Sequence, residues 1–306
     1  LLRTGILIMT NVAIVTEGLA ELTKELIEKY SIVTVPYRLF FGDETFYVRN
    51  NSESELSVAD FCAKLKGVTE ETFPRTSVPS PGDFTTAIDK AFEQAESVIA
   101  IVLTSGMSGA FQSAKKLADE LYKEKDITIF DSLHTMTGIG NQAIEAAKMA
   151  HAGKSKEEIL SHLEAIRPKT RYILAMRDLD FLEKQGRLGP IQKAREKNPE
   201  VIPVIQEKEG ILHPLTMFNN EQDLIERMST FAKKICEVNE TEDIFLTHIN
   251  NPKAAEAIHK VLITHKREGT VIHCYEACCI LGAYSGPNSI SLSYVGDFES
   301  EWITNQ

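Results

Sequence analysis

The sequence has no excess of positive charge, no long apolar run and no cysteine pairing pattern, and each absence removes a class of function. Lys and Arg number 33 against 44 Asp and Glu, a formal charge of -11. Nucleic acids and anionic membrane surfaces both call for a basic footprint, so neither is an expected partner. No stretch approaches the roughly 18 apolar residues of a membrane span, and no basic, apolar, small-residue sequence marks a signal peptide, which points to the cytoplasm. The five cysteines, Cys62, Cys236, Cys274, Cys278 and Cys279, are odd in number and lack a Cys-x-x-Cys spacing. Free buried thiols are expected. His273-Cys274 with Cys278 and Cys279 makes no convincing four-ligand set, so neither a metal nor another cofactor is expected. There is no internal repeat and no low-complexity segment.

What is present is globular: 306 residues, 43% hydrophobic and 25% charged, enough for two domains of ordinary size or one large one. The stretch from Val98 to Ala114 organises the rest. Six apolar residues, Val98 to Leu103, predict a strand buried on both faces of a parallel sheet. A turn of small residues leads into a segment whose Ala110, Ala114, Leu117 and Leu121 fall at helical spacing. Strand, glycine-containing turn and helix make half of a βαβ unit, and the turn lies at the sheet edge where open α/β sheets bind ligands. Ser108 is expected to cap the helix and Gly109 to let a ligand approach the backbone, at a helix start suited to an anion. A cap and nothing more is the plainer reading of Ser108.

Alternating strands and helices from Val12 to Arg167 predict an α/β domain, residues 1–167, with a mainly parallel sheet and helices on both faces. Its strands are Val12 to Thr16, Ile32 to Leu39, the focal one and Ile127 to Phe130, with a local hairpin through Thr45 to Val48. Its helices begin with Leu19 to Tyr30 and end with Met136 to His151 and Ser155 to Arg167, the last opened by a capping box. Thr76 to Phe84, with two prolines and a glycine, reads as a stiff loop. Leu1 to Ile8, ahead of Met9, are open to reading as an extension foreign to the fold.

Arg167-Pro168 is the expected boundary to a second α/β domain, residues 168–306, with a smaller, mixed sheet. Its strand Tyr172 to Met176 precedes a short helix and the polar turn Gln185 to Pro190. A hairpin of Val201 to Gln206 with Ile211 to Thr216, a long helix Glu221 to Val238 and a strand Ile244 to Ile249 follow. Asn251-Pro252 starts a helix as N-cap and first residue. Val271 to Cys274 and the apolar Ala277 to Tyr284 are expected to complete the sheet.

The loop Thr76 to Phe84 and the turn Ser105 to Ala114 together resemble the DegV family of bacterial lipid-binding proteins. Phe130-Asp131-Ser132 with Thr137-Gly138-Ile139-Gly140, the stretch Leu179 to Gly189, and Ser285-Gly286-Pro287 are similar to three further motifs of that family, in the same order. The resemblance spans about Val12 to Val295. It implies a non-catalytic, two-domain α/β protein that holds one long-chain fatty acid, carboxylate between the domains and tail in an apolar tunnel. It further implies a carrier subunit that presents the carboxylate to a separate ATP-dependent fatty acid kinase subunit, which makes acyl phosphate for phospholipid synthesis. Thr76 and Ser108 would then hold the carboxylate with Arg187 behind them, and Ser77, Gly109 and Tyr284 complete the expected site. Departures from the family pattern are Glu17-Gly18 for its Asp-Ser, Val48-Arg49 after the hairpin tyrosine Tyr47 where the family has an acid, Gln185 for a glycine, Tyr284 for a histidine and Asn288 for a glycine.

These residue types suit the task, because a carboxylate leaving water needs donors and burying it bare costs many kcal/mol. The tail would contribute most of the affinity, at about 0.8 kcal/mol per buried methylene. Two other functions fit parts of the sequence. One is a lipid-binding chaperone or regulator without a kinase partner. The other is a serine hydrolase on Ser108, where Gly106-Met107-Ser108-Gly109-Ala110 approaches a nucleophile elbow and Asp131 and His248 are nominal partners.

Overall fold

The structure, a computed structural model, describes residues 11–194 and 201–304. The proposed extension at 1–8 lies outside the described residues. In chain order the first half runs β1 (Val12–Glu17), α1 (Lys24–Tyr30), β2 (Val33–Val35), β3 (Tyr37–Phe41), β4 (Glu44–Val48), α2 (Val58–Leu65) and β5 (Arg75–Ser77). It continues with α3 (Pro81–Phe92), β6 (Ser97–Val102), α4 (Ala110–Leu121), β7 (Asp126–Asp131), α5 (Met136–His151) and α6 (Lys156–Ile166). The second half holds β8 (Thr170–Ala175), α7 (Asp180–Lys184), β9 (Ile202–Lys208), β10 (Ile211–Phe218), α8 (Glu221–Val238), β11 (Asp243–Ile249) and α9 (Pro252–His265). It ends with β12 (Val271–Glu276), α10 (Cys279–Ser285), β13 (Ser289–Val295) and α11 (Glu301–Thr304).

The fold is α/β, as expected. Four parallel strands, in the order β2-β1-β6-β7, form the first sheet. Its apolar run is buried on both faces: Val98, Ala100 and Val102 pack with Phe84, Ile88 and Ala114 of α3 and α4, while Ile99 and Ile101 join a core that contains Ile139 and Ala143 of α5. The second sheet is mixed, in the order β10-β9-β8-β13-β11-β12, and with six strands it is the wider of the two rather than the smaller. Helix α5 packs against β1 and β6 of the first sheet and against β8 and β13 of the second, so one helix joins them. Gly140 permits this closeness, since a Cβ there would lie 2.6 Å from the Ala20 carbonyl oxygen.

Four expectations are corrected. The strand drawn through Ile32 to Leu39 breaks at Pro36, which cannot donate to a ladder. It yields β2 in the parallel sheet and β3 in a separate antiparallel sheet of order β4-β3-β5. The loop carrying Thr76 is therefore partly a strand, with Thr76 opposite Leu39. The helix expected from Leu19 begins only at Lys24, after a 3-10 turn at Gly18–Ala20 and Glu21 in the left-handed region at φ 59°. Finally, Ala277 to Tyr284 is not a strand: α10 occupies Cys279–Ser285, a run too short for periodicity to tell the two apart. The strand it stood in for is β13, which alternates serine with apolar residues and is buried throughout. Its serines are tolerated because each hydroxyl is paired, Ser289 with Ser285 at 2.8 Å, Ser291 with Thr247 at 2.7 Å and Ser293 with Asn141 at 2.7 Å.

Candidate functional site

A cavity of about 110 Å³ opens at the carboxyl edge of the parallel sheet. A single water needs only ~10–15 Å³ measured in this way. The wall is mostly apolar, with Leu19, Leu103, Leu174, Leu212 and Ile280 drawn from both halves of the chain. Thr76, Ser108, Arg187 and Tyr284 line the same cavity. Ser77 and Gly109 do not line it. Successive side chains of a strand face opposite ways, so Thr76 on the cavity turns Ser77 from it. A Cβ at Gly109 would meet no atom of the chain within 4 Å, so packing does not demand a glycine there.

Each polar group is positioned by a different element. Thr76 sits in β5 and Tyr284 near the end of α10, and their hydroxyls are 2.7 Å apart. Ser108 lies one residue before the N-cap of α4, which is Gly109 rather than Ser108 as expected, and its hydroxyl accepts the Ala110 amide at 3.2 Å. Gly106 lets this turn approach the β9–β10 hairpin, where a Cβ would come within 2.6 Å of the Gly210 carbonyl oxygen. Arg187 follows α7 and donates through Nε to the Met107 carbonyl at 2.6 Å and through Nη1 to the Gln185 carbonyl at 3.1 Å. Among the described residues no carboxylate pairs with it.

Three further residues bear on the site: Glu17 and Gln185, which stand out in the sequence only as departures from the family pattern, and Tyr37, which does not stand out at all. Tyr37 of β3 is buried, lines the cavity, and lies beside Ser108 and Glu17. Burial drives its phenol well above the ordinary value. Glu17, at the end of β1, is fully buried and accepts the Leu103 amide at 2.5 Å through Oε2. Burial raises its carboxyl to about 7, against the downward pull of the Leu103 amide and the Tyr37 hydroxyl. Gln185 donates from Nε2 to the Pro74 carbonyl at 2.6 Å and the Ala283 carbonyl at 3.0 Å, tying the approach to Thr76 to the residue before Tyr284. An acid ending a buried strand was the available signal for Glu17; Tyr37 carried none, since aromatics in strands are ordinary.

The hydrolase reading loses its nominal partners. Asp131 accepts the amides of Ser105 at 3.1 Å and Leu133 at 3.2 Å, which shapes the turn. His248 accepts the Asn251 amide at 3.2 Å through Nδ1, and neither residue lines the cavity of Ser108. Burial also lowers the His248 imidazole below its ordinary value. Among the described residues no three His, Cys, Asp or Glu converge as a metal site, and no helix is long and apolar enough to cross a membrane.

Fold and site together define an α/β protein with an apolar cavity headed by hydroxyls and one arginine. The chain belongs to the DegV family: residues 11–297 match its profile, described as that of an uncharacterised protein. A DegV domain-containing protein of Caldanaerobacter subterraneus is 27% identical over 286 residues, 94% of this chain and 99% of that protein. Another from Halalkalibacterium halodurans is 29% identical over 288 residues, with 94% and 99% covered. The fold is shared with a DegV family protein of Thermus thermophilus solved for its fatty acid binding, at a TM-score of 0.82 and 21% identity over 94% of this chain and 100% of that one. It is also shared with DegV of Bacillus subtilis, a fatty acid binding protein, at a TM-score of 0.78 and 23% identity over 94% and 100%.

Proposed function

We propose that the cavity holds a long-chain fatty acid, carboxylate toward Thr76, Ser108, Tyr284 and Arg187 and tail among the leucines. The observation that carries this reading is the cavity itself, apolar along its walls and headed by hydroxyls beside an arginine with no carboxylate partner among the described residues. Hydrogen bonds from hydroxyls and a fixed guanidinium charge replace the water a carboxylate loses on entry. The fatty acids named for the Thermus and Bacillus relatives support the same ligand class.

The protein is then a non-catalytic, cytoplasmic carrier. It presents the bound carboxylate to a separate ATP-dependent kinase subunit that forms acyl phosphate for phospholipid synthesis. Its two domains, 1–167 and 168–306, divide at Arg167-Pro168, a reading supported by the 3-10 turn there between α6 and the first strand of the second sheet. A lipid chaperone without a kinase partner would bind the same ligand. Incubation of the oleate-loaded protein with ATP and a bacterial fatty acid kinase subunit separates the two: oleoyl phosphate is expected, and binding of oleate without any product would leave only the chaperone.

A further inference from the structure

Two buried polar atoms, the hydroxyl of Tyr37, which lines the cavity, and Oε1 of Glu17, which does not, adjoin one another without any hydrogen bond of good geometry. The other Glu17 oxygen is committed to the Leu103 amide. Tyr37 stands between this carboxyl and Ser108. An acidic ligand at Ser108 would thus bring a second carboxyl close to a fully buried one. Two such groups away from water do not both ionise; they share a proton.

We propose, on the reading that the cavity binds a fatty acid, that Glu17 is a specificity-determining residue that admits an acidic head group only while it carries a proton itself. The protonated carboxyl donates to the Tyr37 oxygen, which frees the tyrosine O–H to donate toward the ligand carboxylate. An ionised Glu17 instead draws the tyrosine proton to itself, and the tyrosine then turns a lone pair to the ligand. Binding above the pH at which Glu17 titrates therefore takes up one proton from solvent, which stays on Glu17 while the ligand remains ionised.

Glu17 is the buried carboxyl beside Tyr37; another, Glu21, on the side of the cavity-lining Tyr172, accepts from the Thr247 hydroxyl at 3.2 Å and the Cys278 amide at 3.3 Å. Glu17 faces Tyr37 of β3, and beyond it Tyr284 of α10, both phenols. Just past the end of β6 it meets the Leu103 amide, and Thr16 beside it bonds to the Ile101 carbonyl. At the start of α5 the cavity is lined by Thr135 and Met136, both uncharged, and the Glu207 carboxylate beyond them is taken up by Thr135 and His134. Arg49, whose carbonyl lies against Gly18, turns its guanidinium outward to Glu55. Arg187 reaches the cavity from the loop after α7.

The test is calorimetric titration of delipidated protein with dodecanoate below its micellar concentration, from pH 6.5 to 8.5, in buffer pairs of different ionisation heat. With Glu17 titrating at about 7, affinity should fall about 25-fold over this range, with about one proton taken up per ligand at pH 8.5. Glu17→Gln should bind with no pH slope and no uptake, and competition by uncharged dodecanol should not weaken with pH in either protein. A flat wild-type profile, or uptake that persists in Glu17→Gln, overturns the proposal while leaving fatty acid binding intact. Failure of the wild type to bind dodecanoate at any pH overturns both. Should the variant not fold, side-chain carboxyl NMR of the wild type decides: a Glu17 titration that moves up on binding supports the coupling, and an unmoved one overturns it.

Discussion

The hydroxyls of Thr76 and Tyr284 stand 2.7 Å apart although 208 residues separate them. This contact joins β5 of the first half to α10 of the second at the head of the cavity. Replacement of Thr76 by Val or Tyr284 by Phe should each weaken fatty acid binding by about 1–3 kcal/mol, as for hydrogen bonds to a charged group. Because the two share a bond, the double variant should lose less than the sum, with a coupling near 1 kcal/mol in a calorimetric cycle. Strict additivity would mean that the two hydroxyls act separately.

Gln185 holds the same junction from behind, through the carbonyls of Pro74 and Ala283. Gln185→Ala should cost about 1–2 kcal/mol of stability in urea unfolding, because two partly buried carbonyls lose their donor. It should also weaken fatty acid binding although Gln185 does not line the cavity. Unchanged affinity would remove it from any positioning role.

Much of this junction was legible in the sequence. The turn after β6, the threonine before the prolines and the arginine after α7 each sit in a stretch that resembles a family motif, and the fold brings Ser108, Thr76 and Arg187 to one cavity. The pairing of Tyr284 with Thr76 was not legible, because Ala277 to Tyr284 is apolar enough for a strand and only tertiary packing makes it the helix α10. For the same reason β13 was missed: three serines in seven residues read as loop until partners from α5, α10 and β11 are in place. Tyr37 escaped notice because the break at Pro36 that aims it at the cavity separates two sheets, and pairing choices between sheets are not local.

Glu17 makes stability depend on pH. Its folded carboxyl titrates at about 7 against an ordinary 4.5, because it is buried. Below 4.5 both states are protonated and the group has no effect. As pH rises from 4.5 to 7 the unfolded chain alone ionises, so stability falls, by up to about 3 kcal/mol in all. Glu21, raised by burial to about 8, adds a second decline that ends higher. Thermal melts of Glu17→Gln should therefore show a higher Tm than wild type at pH 8 and a smaller difference at pH 5. Parallel curves at both pH values would contradict the burial argument.

Asp243 acts in the opposite direction. Burial pushes its carboxyl up, but hydrogen bonds from His273 at 2.6 Å and Lys148 at 2.5 Å, together with their charges, outweigh it and hold the group below its ordinary range. Its contribution is present above the unfolded value of 3.8 and is lost as pH falls through the folded one. Asp243→Asn should cost about 1–3 kcal/mol near neutral pH, because the partly buried Lys148 loses one of its three carboxylate partners and keeps Glu145 and Glu242. Urea midpoints at pH 7 and pH 3 check this, and an equal loss at both would show that ionisation is not the cause.

Mass spectrometry of the protein purified from a bacterial host without added lipid tests the central claim most directly. The account predicts one copurifying acyl chain per molecule under native conditions, identified after extraction as a long-chain fatty acid, with occupancy reduced in the Thr76→Val, Ser108→Ala double variant. A wild-type protein free of any acyl chain, and unable to take up oleate in titration, would contradict it.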